Sequence, residues 1–282
     1  MSGQDYHIYV AQHHDNNPVY ALVFKEIILL FLHSFHSLGQ NCSFTVDPQL
    51  DKKRINIILG AAFIFPAAKF QGFQYIPYQL EQLSAAEGWY SKYPEYKNIL
   101  QNARAVWDYS AANIDFLRGE GIPAGYLPIG YHEKLELIPR ADQQDIDILF
   151  YGSLNERRRK ILIQLMDRGL KVEVLPNIYG TPRDKYIARA KIVLNIHYYE
   201  TKIFESARIS YLLNNKILVI TENSVDNPYP AVELISVPYE QLVEECVRRL
   251  ADWNSSLQIA ASNYQQFKEN YPMTGFLAKV LI

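Results

Sequence analysis

Cysteine is nearly absent, with only Cys42 and Cys246 in 282 residues. The two are far apart, lie in apolar patterns and have no CxxC or Cys/His spacing around them. That excludes a disulfide framework and a cysteine zinc site, and fits two buried free thiols in a reducing compartment. A surplus of one charge is also lacking. The 28 basic and 30 acidic residues leave a formal charge of -2 and a pI near 6.4, so there is no overall basic footprint for a nucleic-acid backbone. Any anion must be held locally. No apolar run is long enough for a membrane span: the longest, residues 19–32, is broken by Lys25 and Glu26 and reads as a core helix. The amino terminus, MSGQDYHIYV, lacks the basic flank and apolar core of a signal peptide. The expected location is therefore the cytoplasm, with peripheral membrane contact left open. Internal repeats and low-complexity tracts are missing too.

What is present is ample apolar content, 49% against 21% charged residues, in a chain long enough for two domains with separate cores. Strand and helix signals alternate throughout, the mark of an α/β protein. In the first half, strands are expected at 7–11, 42–46, 54–59, 74–78 and 126–129. A polar turn covers 12–17, and Asn17-Pro18 caps a long apolar helix reaching residue 37. A second helix covers 96–118 and stops at Gly119 and Gly121. The pattern lapses in EKLELIPRADQQ, residues 133–144, which sets a boundary between domains 1–135 and 136–282. In the second domain, strands are expected at 146–151, 171–175, 192–196 and 217–221. Helices are expected at 156–168, 183–189, 203–213, 239–253 and 256–269, the last able to pack back on the first domain. Two Rossmann-like halves place a ligand in the cleft between them, outside the carboxyl ends of the strands.

Three groups of residues carry chemistry. The strand DIDILFY runs into Gly152-Ser153 and then a helix opening ERRRK. Backbone N–H groups of such a turn can approach an anion, and the helix start favours negative charge. Four cations in the first turns oppose the helix dipole at about 0.3–1 kcal/mol each, a cost that a diphosphate on Arg157 or Arg158 would offset. Arg159 and Lys160 read better as a solvated face. The second group, His197, Lys202, Glu205 and Arg208, follows the strand KIVLNI. A carboxylate in the first turn of a helix can accept both hydroxyls of a vicinal diol, and Lys202 can reach a phosphate. Glu205 and Arg208 also have the spacing of an ordinary intrahelical ion pair. The third group is His13, His14 and Asp15, after the first strand, with Glu81 after another. Each is a candidate general base and each is also accounted for by a polar loop or a first-turn helix carboxylate.

The segments YLPIGY, ILFYGSLNERR, LNIH and KIFESARISYLLNNKILVITE together resemble the carboxyl half of group 1 glycosyltransferases of the GT-B type, especially short ones related to spore-coat glycosyltransferases. The resemblance covers about residues 107–269. It implies a GT-B architecture of two Rossmann-like domains with parallel sheets and a nucleotide-diphosphate sugar held by the second domain. A hydroxyl acceptor, whether glycan, lipid-linked or small molecule, would meet the first. On this likeness Glu205 takes the ribose position, Gly152 and Ser153 the diphosphate turn, and Thr221-Glu222 the strand end beside the donor. Arg157 or Arg158 matches the basic position loosely. Tyr131, Tyr198 and Tyr199 lie at strand ends suited to stacking on a sugar, with His132 next to Tyr131 as a further candidate donor contact. No cofactor or metal is expected, since basic side chains neutralise the leaving diphosphate.

Two departures stand out. Retaining members carry two acids separated by seven positions, and the earlier position here is His197. The glycine usual after this helix is replaced by Asn214-Asn215, which tolerates a left-handed cap. The stereochemical outcome stays open. So do two other classes on the same architecture, a nucleotide-sugar 2-epimerase and a non-catalytic nucleotide-sugar binder.

Overall fold

The computed structural model describes residues 4–11, 22–46, 49–63, 67–86 and 88–281. The chain forms two compact units. One is Met1–Gly130 with Met273–Ile282, and the other is Tyr131–Pro272. The division follows Gly130, not residue 135.

The first unit is built on a parallel sheet. Its strands are β1 (Tyr6–Val10), β2 (Cys42–Phe44), β3 (Ile55–Leu59), β4 (Tyr75–Gln79), β5 (Trp107–Asp108) and β6 (Gly125–Tyr126), in the spatial order β2-β1-β3-β4-β5-β6. Strands β1, β3 and β4 are buried along their whole length, as strands covered on both faces must be. Pro77 sits inside β4, yet β5 pairs only Tyr78 and Gln79, so the missing N–H falls where that ladder has not begun. Helix α1 (Lys25–Ser37) buries Ile27, Ile28, Leu30, Phe31 and Phe35. Phe35 packs on Tyr6 at 4.6 Å between centroids and Phe31 on Tyr78 at 5.1 Å.

Helices α2 (Gly88–Lys92), α3 (Pro94–Gln101) and α4 (Ala111–Gly119) follow. The single helix expected over 96–118 is thus two helices with β5 between them. Apolar residues on both sides of Arg104 mimic helical spacing, but a two-residue buried strand leaves too short a signature to separate from it.

In the second unit the strands are β7 (Ile146–Tyr151), β8 (Val172–Leu175), β9 (Ala190–Asn195), β10 (Leu218–Glu222) and β11 (Ile235–Val237). The order is β11-β10-β9-β7-β8, parallel throughout. Chain direction across this sheet reverses between β7 and β9, and ligands of doubly wound sheets bind at the carboxyl ends beside such a reversal. The helices are α5 (Glu156–Asp167), α6 (Gly180–Arg189), α7 (Ser206–Asn214), α8 (Leu242–Ala251) and α9 (Trp253–Asn270). Phe150, Ile161, Leu165, Ile192, Leu194, Ile220 and Cys246 fill the core. Strand β11 and the last helix, α10 (Met273–Val280), were not expected. Helix α10 belongs to the first unit, where it packs against α1.

Both cysteines are free. Cys246 is buried but Cys42 is partly exposed, against the expectation of two buried thiols. The Asn214-Asn215 pair also has a different role from the one expected. The left-handed residue is Lys216, at φ 58. Asn214 exchanges hydrogen bonds with the His132 backbone at 3.0 and 3.2 Å, and Asn215 holds Ile138 N–H and the Leu135 carbonyl, each at 2.9 Å. A glycine would satisfy none of these buried backbone groups. Among the described residues, no helix is long and apolar enough to cross a membrane.

Candidate functional site

Strands β7, β9 and β10 end together, and each delivers a polar group there. Strand β7 ends in Tyr151-Gly152. Gly152 has φ +120, and a Cβ at this position would lie 2.8 Å from Nη2 of Arg208. The glycine therefore makes room for a guanidinium. Its N–H bonds to the Leu175 carbonyl at 3.1 Å and is not available to an anion, contrary to the sequence expectation. Gly152→Ala combines forbidden backbone with displacement of Arg208 and should cost about 1–3 kcal/mol. Gly39→Ala, at φ +68 with no atom within 4 Å, should cost about 1 kcal/mol. Urea denaturation of the two variants separates backbone strain from displacement.

Asn155 caps α5 by accepting from Arg158 N–H at 2.9 Å, which starts the helix so that Arg157 and Arg158 point to different partners. Arg158 is 3% exposed. It donates to the Ile196 carbonyl from Nε at 2.8 Å and Nη2 at 2.5 Å, to the Ser153 carbonyl at 2.8 Å and to Glu205 Oε1 at 3.1 Å. Burial pulls its pKa down to about 10, against the raising pull of Glu205. Arg157 forks onto both carboxylate oxygens of Glu222, with Nη1 to Oε2 at 2.6 Å, and stacks on Tyr239 at 4.0 Å. Burial works against the Arg157 charge, but the hydrogen bond and charge of Glu222, with the charges of Tyr239 and Glu200, together outweigh it and raise the pKa. Ser153 is exposed, as are Arg159 and Lys160.

Strand β9 ends in Asn195, with Ile196 and His197 beyond it. Asn195 accepts from Arg208 at 2.6 Å and donates to Thr221 Oγ1 at 2.9 Å. Strand β10 ends in Glu222, 1% exposed, which also receives the His197 N–H at 3.2 Å and lies 3.3 Å from Lys202 Nζ. Burial would raise the Glu222 carboxyl, but the hydrogen bond and charge of Arg157, with His197 and Lys202, together more than reverse it, so the pKa is lowered. Helix α7 starts at Ser206, so Glu205 occupies its N-cap and not its first turn, without capping a backbone N–H. Instead its carboxylate is gripped by Arg158 and, at 2.9 Å, by Arg208. The expected Glu205–Arg208 pair is present, as part of a larger lattice. His197 is fully buried, with Nε2 3.1 Å from Ser224 Oγ and Nδ1 3.8 Å from Glu205. Burial lowers its pKa despite both carboxylates, favouring the neutral ring.

Two carboxylates are thus each clamped by two cations, and four cations against two carboxylates leave two positive charges in excess within this lattice, with Glu240 on the adjoining cavity wall and Glu200 near Arg157 as further acids. Three buried polar atoms here lack a hydrogen-bond partner: His197 Nδ1, Ser206 Oγ and Arg208 Nε. Unpaired buried polar groups cost about 1–3 kcal/mol each, so their gathering around one glutamate suits a ligand. A cavity of about 480 Å³ opens beside Arg157, Lys202, Glu222, Ser224 and Tyr239, within the range of small-molecule sites.

Tyr131 is not brought into this group. Its hydroxyl donates to Glu136 Oε1 at 2.5 Å, its ring packs on Tyr264 and Phe267, and His132 caps a short turn by accepting from Lys134 N–H. Tyr198 is 41% exposed and stacks on Arg158 at 5.2 Å. Residues beyond the sequence reading are Asn195, Ser206, Ser224, Tyr239 and Arg183, the last lying over the Tyr151 ring at 5.3 Å, as Arg208 does at 4.9 Å. Asn195 was findable, as a polar residue ending an otherwise apolar strand.

In the first unit, His13, His14 and Asp15 lie outside the described residues. Glu81 lies in the loop after β4 and not at a helix start. Its backbone is clamped from both sides: Gln79 Oε1 accepts its N–H at 2.5 Å, and Gln79 Nε2 and Asn113 Nδ2 donate to its carbonyl at 2.8 and 2.9 Å. Buried Asp108 holds both clamps, accepting from Gln79 at 2.8 Å and Asn113 at 3.1 Å. Burial pushes the Glu81 carboxyl up to about 7.

Two parallel doubly wound sheets with reactive groups at strand ends define the chain as a GT-B fold. Comparison with solved structures gives the same fold. S. aureus TarM, solved with UDP and α-GlcNAc-glycerol, matches with a TM-score of 0.57 at 15% identity, over 81% of this chain and 55% of that one. AviGT4, a glycosyltransferase involved in avilamycin A biosynthesis, matches at 0.53 and 12% identity over 98% and 96%. A putative UDP-N-acetylglucosamine 2-epimerase from Listeria monocytogenes matches at 0.55 and 10% identity over 98% and 95%. No family model matches. In sequence, the chain is 28% identical over 174 residues to uncharacterized protein L140 of Acanthamoeba polyphaga mimivirus, covering 57% of each chain. It is also 28% identical over 139 residues to uncharacterized protein L138 of the same virus, where it spans only 16% of the relative's length.

Proposed function

We propose that this chain is a glycosyltransferase of group 1 type that moves a sugar from a nucleotide-diphosphate donor to a hydroxyl acceptor. The observation that carries this is the set of unpartnered buried atoms around Glu205, inside a lattice with two surplus positive charges. A diphosphate brings matching charge, and a ribose diol can use the remaining carboxylate lone pairs of Glu205 and the donors beside it. Arg157, Lys202 and Arg208 neutralise the leaving diphosphate, and Arg158 fixes Glu205. Thr221, through Asn195, steadies Arg208. These cations supply the charge stabilisation that other enzymes draw from a metal ion. In the transfer, the acceptor oxygen bonds to the anomeric carbon, the bond to the diphosphate breaks, and the acceptor proton passes to a general base. A carboxylate titrating near neutral pH, such as Glu81, is well matched to that task.

The test is thermal unfolding against UDP-, GDP-, ADP- and dTDP-sugars. A donor at about 100 times its dissociation constant should add roughly 2.7 kcal/mol, and Glu205→Ala should abolish the gain. No response to any donor would sink the reading. The epimerase neighbour favours one rival, in which product forms from the donor alone, and an assay without acceptor separates the two.

A further inference from the structure

A second cavity, of about 490 Å³, lies in the Tyr131–Pro272 unit at the far end of α7 from Glu205. Its floor is apolar, formed by Ile138, Leu257, Ala260 and Ala261, and two cations, Arg140 and Lys216, stand at its edge. Among the described residues Arg140 meets no carboxylate. Its guanidinium donates to Gln144 at 2.9 Å and to the Lys216 carbonyl at 3.5 Å, and lies over Trp253 at 5.8 Å. Lys216 is fixed in the left-handed region at φ 58, with its ammonium over the Tyr264 ring at 4.3 Å. The one acid on the wall, Glu136, has an oxygen taken by the hydroxyls of Tyr131 and Tyr264, both at 2.5 Å. Two cations against one carboxylate leave a single positive charge over an apolar floor.

We infer that this cavity binds an amphipathic monoanion, with the acidic head between Arg140 and Lys216 and the apolar body on Leu257, Ala260 and Ala261. The wall is preformed, because Asn214 and Asn215 bond it to residues 132, 135 and 138. An entering ligand need not order it. The site is separate from the donor lattice and does not depend on the glycosyltransferase reading.

Octanoate is the probe, with octylamine and octanol as chain-matched controls, titrated by calorimetry into the whole chain at neutral pH. Octanoate should bind best of the three. Arg140→Gln combined with Lys216→Gln should weaken it roughly tenfold or more. Ala261→Phe, at an exposed helix position, should fill the cavity and remove binding while leaving the urea midpoint near that of the parent. Absence of octanoate binding, equal binding by these variants, or octylamine binding as tightly would each overturn the assignment.

Discussion

Replacing Arg158 by methionine is expected to lower the free energy of unfolding by about 3–5 kcal/mol, read from urea denaturation. Methionine keeps an apolar stem but removes every donor, along with the guanidinium that lies over Phe150 and Tyr198. The Ile196 carbonyl loses both its Arg158 bonds, the Ser153 carbonyl loses one, and Glu205 loses one of its two cations. Arg157→Met should cost less, because the Arg157 side chain is 23% exposed and Lys202 still faces Glu222. Its loss should show in donor affinity instead. Equal costs for the two arginines would contradict this division of labour, in which Arg158 fastens the strand end and Arg157 faces the ligand.

Replacing Glu81 by glutamine should lower transfer by about 10²–10⁴-fold with donor affinity unchanged, because the amide keeps the shape and cannot take a proton. The wild-type rate should rise with pH through about 7, where the carboxyl ionises, and the variant should lack that limb. Stability gives an independent check with a definite sign. The folded carboxyl is raised from 4.5 to about 7, so the folded state binds more protons than the unfolded one in that window, and stability falls as pH rises through it. Denaturation of the wild type between pH 4.5 and 7 should show this loss and Glu81→Gln should not. A variant with the wild-type pH dependence of both rate and stability would remove Glu81 from the mechanism.

The pattern of apolar strands and capped helices made most of the second unit legible in advance. Four strand ends and the helix carrying Arg208 follow from runs such as ILFY, KIVLNI and ILVIT, because buried parallel strands need unbroken apolar sequence. The same cue failed where elements are short. Strand β5 holds two residues and β11 three, and neither leaves a period to detect. The site was legible by residue and not by partner. Glu205, Arg157, Arg158, Arg208 and Glu222 were all singled out from strand and helix ends, but spacing offered only the local Glu205–Arg208 pair. The Arg157–Glu222 and Arg158–Glu205 pairs join residues 65 and 47 positions apart, and only the sheet order brings them together. The Glu81 clamp was hidden for a related reason: Asp108 and Asn113 sat inside a segment read as continuous helix.

Helix α7 gives the two cavities different electrical starting points. Its nine residues, at about 1.5 Å each, make a rod roughly 13 Å long with the partial positive charge of its peptide dipoles at Ser206 and the partial negative charge at Asn214. An anion near the start is drawn by the backbone itself, so that end tolerates Glu205 and Glu222 among its cations. An anion near the finish is repelled by the same backbone, so that end depends on Arg140 and Lys216 for attraction. Exchanging one charge at each end would therefore not be symmetrical: the cavity at the finish has only side-chain charge to lose.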